Sequence, residues 1–198
     1  RLDPAIYKFR KVIIELQDHF LIAMPQLEDS YFHRSVIYIC EHNEQGSMGL
    51  VLTHPTDLSI AELMAKMHFM MAGQHTYPNE LVLAGGPVNV ERGFILHTEA
   101  PQPFQHSYKV TENLWLTTSS DIIETFGTEL APPKYLVALG CASWSPQQLE
   151  NEIAENSWLV VPANEHILFD VPYEERWLAA NQLLGIQHHN FAAQAGHC

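Results

Sequence analysis

The chain has 198 residues, 46% hydrophobic and 17% charged, with ten Lys and Arg against 23 Asp and Glu, a formal charge of −13. A chain this long buries roughly 70% of its unfolded surface, so its core needs no disulfide or metal staple, and the composition excludes a disordered polymer. Four of the ten cations, Arg1, Lys8, Arg10 and Lys11, sit at the N-terminus, and the rest are scattered among acids, which argues against direct nucleic-acid binding and against attraction to an anionic membrane surface.

Residues 1–15 are basic, carry no turn signal, and read as an N-terminal extension to a single domain over 16–198. His19–Met24 is an apolar strand-like run ended by Pro25. Ser35–Cys40 is β-branched and aromatic, and Met48–Thr53 follows it across Glu41–Ser47, where Asn43 and Gly46 suit a hairpin loop. Ser59 and Glu62 form a capping box, and Ile60, Leu63, Met64 and Met67 then share one helical face. Glu80–Ala84 reads as a strand running into the tight turn Gly85-Gly86-Pro87, and Gly93–His97 and Leu114–Thr118 are further strands. Ser119 or Ser120, with Asp121, is placed to cap a short helix through Phe126 that stops at Gly127.

Lys134–Leu139 is almost continuously apolar, the signature of a central strand buried on both faces. Gly140–Trp144 is expected to turn the chain. Ser145, Pro146 and Gln148 combine an N-cap, a first-position proline and a capping-box glutamine for a helix ending near Asn156. Trp158–Val161 and Ile167–Asp170 read as late strands, and Pro172–Leu184 as a last helix capped by Gly185. Strand pairs joined by short turns alternate with single helices, and no linker or repeat divides them. That predicts an α+β fold with a mixed, largely antiparallel sheet.

Three cysteines, Cys40, Cys141 and Cys198, show no C-x-x-C spacing, so neither a disulfide framework nor a cysteine zinc site is expected, and reduced thiols fit a cytoplasmic protein. No apolar run approaches the roughly 18–20 residues that span a bilayer, and the N-terminus lacks a signal-peptide apolar region.

The segments His19–Pro25, Glu41–Leu52, Gly85–Val88, Arg92–His97, Thr118–Asp121, Leu139–Trp144, Leu149–Pro162, Ile167–Asp170 and Ala195–His197, taken in order, resemble the AlgH/YqgE family of bacterial proteins. The resemblance implies a single α+β domain with a branched, partly barrel-like sheet surrounded by helices. No cofactor is expected. The family's biochemistry is uncharacterised; its name comes from an implied regulatory role in alginate production, and it carries a transcriptional-regulator label. This chain departs from the family at Thr53-His54-Pro55, where Asn-Arg-Pro is more usual, so a histidine replaces a cation that an anion site there would need. The family often has Tyr at position 141, which a required thiol would not permit.

Within these motifs, Glu41, His42 and Asn43, together with Arg92 and His97, form the most informative polar set. If their segments meet, they bring together a carboxylate, an imidazole and a guanidinium for acid–base work or anion recognition. The structural alternative is hairpin hydrogen bonding with a Glu41–Arg92 ion pair. Gly85 and Gly86 would let backbone amides approach a phosphate, but a P-loop's Lys and Ser/Thr and a dinucleotide fingerprint are absent, so a tight turn is the simpler account. Trp144 is a candidate wall of a ligand or peptide groove. Cys141 reads as a small buried hydrophobe, and Ser119-Ser120-Asp121, without a G-x-S-x-G elbow, as helix capping. Twelve histidines show no H-E-x-x-H or H-x₃-H pair, so no metal site is expected.

Two functions follow. The first is a non-enzymatic regulatory or interaction protein acting through an unidentified protein or small-molecule contact. The second is an enzyme or small-molecule binder using the Glu41/His42/Asn43 and Arg92/His97 set, which requires those side chains to converge.

Overall fold

The structure is a computed structural model that describes residues 16–24, 31–67 and 80–195, with 186–195 as backbone only. The expected 1–15 extension lies outside the described residues. In chain order the strands are β1 (His19–Ala23), β2 (Val36–Asn43), β3 (Gly46–Val51), β4 (Pro55–Ser59), β5 (Leu81–Ala84), β6 (Val88–His97), β7 (Ser107–Lys109), β8 (Trp115–Thr117), β9 (Tyr135–Trp144) and β10 (Trp158–Pro162). The helices are α1 (Ile60–Lys66), α2 (Gln148–Ala154) and α3 (Arg176–Ala195). Short 3₁₀ turns cover Ser120–Thr125 and Tyr173–Glu175, and a π-helical turn covers His166–Asp170.

The apolar run from Tyr135 becomes the strand on which the sheet is built. Along one edge β9 pairs with β6, and on the other it pairs with β5 near Ala138 and Leu139 and with β3 at Ala142–Trp144. Three partners on two edges make the branch. The main path runs β10-β1-β2-β3-β9-β6-β8-β7, with β4 attached through β5, and curls into a half-barrel. Only β5–β9 is parallel among the described pairs. The expected α+β domain with a mixed, largely antiparallel branched sheet is therefore what forms.

Gly140 shapes the bend. Its φ is +78°, and a Cβ there would lie 2.5 Å from the Gly86 carbonyl oxygen. Opposite it the β6 register jumps from Val88↔Cys141 to Gly93↔Leu139, so Asn89–Arg92 bulge outward. Three apolar clusters fill the faces. Phe20, Tyr38, Leu50 and Leu96 pack with Ala180 and Trp177 of α3. Ile37, Val51, Trp144 and Trp158 pack with Leu149 of α2. Ile60 and Met64 of α1 pack with Val82, Ile95, Ile122 and Phe126.

Several local expectations are corrected. The Glu41–Ser47 loop shrinks to a tight turn at Glu44 and Gln45, because β2 and β3 stay paired out to Asn43↔Gly46. Gly140–Trp144 continues β9, since β3 supplies its hydrogen-bonding edge. Ile167–Asp170 is not a strand: the Arg176 guanidinium captures its carbonyls. Arg176 Nε donates to the carbonyls of Ile167 and Val171, Nη2 to Leu168 (3.0 Å) and Nη1 to Leu52 (2.7 Å). Gly185 does not end the last helix, whose backbone continues to Ala195.

Candidate functional site

The polar set read from the sequence divides into two places. His42 lies opposite Ser47, and Ser47 opposite Trp144, at the C-terminal end of β9. His97 lies opposite Tyr135 at its start. Nine residue steps of strand lie between the two ends, about 30 Å of contour at roughly 3.3 Å per residue. The single pocket expected from Glu41, His42, Asn43, Arg92 and His97 does not form, because strand register holds the halves apart.

At the first place, His42 Nδ1 lies 2.5 Å from Ser47 Oγ, and Nε2 lies 2.8 Å from Glu150 Oε1 on α2. The second contact has the distance of an ion pair without the alignment of a hydrogen bond. Burial lowers the His42 pKa below its ordinary value, against an opposing pull from Glu150. The arrangement looks like a nucleophile–base–carboxylate relay, but its side chains face α2: the His42 side chain is fully covered and that of Glu150 is 8% exposed. Alternation along the strands puts Glu41, Asn43, Met48 and Ser143 on the opposite, solvent face, where they line a shallow cleft of about 220 Å³. Ser47 is buried and its Oγ is engaged by His42. Glu41 and Asn43 are occupied with each other, Asn43 Nδ2 donating to Glu41 Oε1 at 3.1 Å while Asn43 Oδ1 accepts from the Gln45 N–H at 2.7 Å.

Four other residues have local structural partners. Arg92 is exposed, donates to Thr118 Oγ1 at 3.3 Å and lies over the Phe94 ring. Gly85 gives its N–H to the Leu139 carbonyl. A Cβ on Gly85 would meet the Gly140 carbonyl oxygen at 2.3 Å, and one on Gly86 would meet the Cys141 carbonyl carbon at 2.0 Å. The room that these glycines open is thus filled by β9. Trp144 is buried edge-on against Trp158 beneath α2. Burial pushes the Cys141 thiol up, with Arg92 opposing, as suits a buried hydrophobe.

The second place has a cavity. His97, Ser107, Lys109, Trp115 and Thr117 share one face of the β6–β8–β7 strands, and the loop from Glu99 folds over them. The cavity measures about 490 Å³ and is lined by His97, Phe104, Ser107, Lys109 and Trp115, with Glu99 and Gln102 from the loop. That volume suits a small ligand. The His97 ring stands between Phe104, edge-on at 5.5 Å, and Trp115, near-parallel at 6.5 Å. His97 Nδ1 is 2.8 Å from the Thr98 carbonyl, Nε2 is 2.6 Å from Thr117 Oγ1, and Thr117 Oγ1 is 2.8 Å from Ser107 Oγ. Burial lowers the His97 pKa, with the Thr98 carbonyl opposing.

The Ser119-Ser120-Asp121 motif holds this roof. Ser119 makes no side-chain cap to the following 3₁₀ turn, contrary to the capping expectation. It accepts from the His106 N–H at 3.0 Å and donates to Asp121 Oδ1, while Asp121 Oδ2 accepts from the Gln105 N–H at 2.8 Å. Burial by itself would raise the Asp121 carboxyl, but the hydrogen bonds from Ser119 and from backbone amides outweigh it and hold it below the usual carboxylate value. Of the cavity's lining, the sequence reading singled out only His97. Ser107, Lys109 and Trp115 come from three-residue strands, too short to show a period; the strand-like run Leu114–Thr118 was the one available signal.

A family model described as AlgH-like matches residues 20–189. A UPF0301 protein of Pasteurella multocida is 76% identical over 186 residues, covering 94% of this chain and 100% of its own. One of Histophilus somni is 71% identical over 181 residues, covering 91% of this chain and 97% of its own. The solution structure of the AlgH protein from Pseudomonas aeruginosa superposes with a TM-score of 0.73 at 41% identity, covering 92% of this chain and 96% of that one. A protein from Corynebacterium diphtheriae, 21% identical, superposes at 0.64 over 82% of this chain and 83% of its own, and shares the fold.

Proposed function

The chain belongs to the AlgH-like family, and from that premise we propose that it is a regulatory protein that works by contact, binding a small ligand in the cavity beneath the Glu99–His106 loop and making no direct contact with DNA. The observation that carries this reading is the cavity itself: aromatic side walls, a floor of His97 and Ser107 linked through the buried Thr117 hydroxyl, and a roof pinned by Ser119 and Asp121. Contact is favoured over catalysis because the one relay-like constellation described, His42–Ser47–Glu150, is sealed under α2, and both ring nitrogens of His97 are already engaged. The regulatory role rests on the family's implied role.

Native mass spectrometry on protein purified gently from its own cells, without a metal-binding tag, tests this. A stoichiometric small-molecule mass is expected on the wild-type chain and absent from Trp115→Ala, with the far-ultraviolet circular dichroism unchanged. Retention of that mass by Trp115→Ala takes the cavity out of the reading, and a copurifying protein chain in place of the small molecule turns it toward a protein contact.

A further inference from the structure

The hydrogen-bond directions at the cavity floor specify a ligand class, an inference that rests on the cavity being the binding site. The Thr98 carbonyl can only accept, so His97 Nδ1 carries the ring proton. With His97 2% exposed and no carboxylate among its described contacts, the neutral ring is the form that burial favours, and Nε2 presents a lone pair. Thr117, fully buried, must then donate its hydroxyl proton to Nε2 at 2.6 Å. Its oxygen is left to accept from Ser107 at 2.8 Å. The reverse direction would need a buried imidazolium. Ser107 has therefore spent its only proton inward, and its oxygen offers the cavity lone pairs alone. An occupant must bring the donor.

The walls add shape and charge. Trp115 and Phe104 supply flat aromatic surface. The Lys109 ammonium, 5.5 Å from the Trp115 ring centroid, is already paired with Glu112 at 3.1 Å, and Glu99 lines the same cavity. Lys109 and Glu112 offset each other, and the Glu99 carboxylate that remains disfavours an anion. We infer that the cavity takes a neutral, planar heteroaromatic ring bearing an N–H donor at its edge, which packs against Trp115 and Phe104 and donates to Ser107 Oγ.

A matched pair of probes isolates the donor: 9-methyladenine, with an exocyclic amine, and 9-methylpurine, the same ring system without one. Both are titrated into the full chain and followed by saturation-transfer NMR and amide chemical shifts. The wild-type protein is expected to bind 9-methyladenine about tenfold more tightly, because the bound ring covers the Ser107 oxygen and only the amine can then meet it. Ser107→Ala, at an exposed position where folding is not at stake, is expected to bind the two alike, and Trp115→Ala to bind neither. Equal affinities in the wild type, a preference that survives Ser107→Ala, or no binding of 9-methyladenine at millimolar concentration overturns the ligand class. If the class fails while Trp115→Ala still strips the native mass, the binding-protein reading stands without it.

Discussion

Arg176 is a buried cation whose donated bonds all end on backbone carbonyls, those of Leu52, Ile167, Leu168 and Val171. Burial pushes its pKa down to about 10, against the more distant pull of Glu80 and Glu174. The side chain therefore serves as a four-way donor that lets a π-helical turn sit where a strand would otherwise be needed. Arg176→Met keeps the length and apolar stem but leaves those carbonyls short of a donor. The expected loss is about 3 kcal/mol, read as a lower urea midpoint. The two buried histidines make stability depend on pH. Burial lowers both pKa values below 6.5, so the unfolded chain binds protons first as pH falls. Their contribution is fully present above 6.5 and is lost as pH drops through the folded values. The urea midpoint is expected to fall between pH 7.5 and 5.5, and to fall less in His42→Gln and in His97→Asn. An equal slope in all three proteins would remove the histidines from the explanation.

At the scale of elements, the glycines separate by what surrounds them. Gly86 lies against the backbone of β9, with 2.0 Å left for a Cβ, so Gly86→Ala must push β5 off its parallel partner. Its cost is expected near 3 kcal/mol, toward the high end for overpacking. Gly185 has nothing within 4 Å and sits inside α3, so Gly185→Ala is expected to gain about 0.5–1 kcal/mol. Thermal or urea unfolding of the two variants should move in opposite directions. The same contrast shows what a sequence conveys. The apolar run from Tyr135 announced a central strand because both its faces are buried. Its continuation through Gly140 to Trp144 was hidden, because a glycine after an apolar run also marks a turn, and only β3, far away in sequence, makes it a strand. His97 was legible as a polar residue ending an apolar strand. Its partners Thr117 and Ser107 were not, since their meaning lies in hydrogen bonds across β8 and β7. Nothing in the sequence marked Glu150, whose pairing with His42 exists only because α2 lies over β2 and β3.

For the whole molecule, the formal charge of −13 sets the partners it can attract. Among the described residues the basic side chains form no stripe: Lys109 and Lys134 are paired with Glu112 and Asp170, and Arg176 is buried. No retardation of duplex DNA is expected even at low salt, where counterion release would favour it most. A salt-dependent shift would contradict that expectation. No helix among the described residues is long and apolar enough to cross a membrane.

The branch at β9 also has a consequence in time. A chain emerging from the ribosome presents β3, β5 and β6 well before Tyr135–Trp144 exists to receive them, and β1 waits longer still for its second neighbour, since His19 pairs with Pro162. Edges such as Ser47–Gly49, or Phe94 and Leu96, must stay without their β9 partner through most of synthesis. Contacts so distant in sequence close late. Holdases would therefore meet this protein chiefly as a translating chain, and a stall between His97 and Tyr135 would release a fragment whose β3, β5 and β6 lack the strand that joins them.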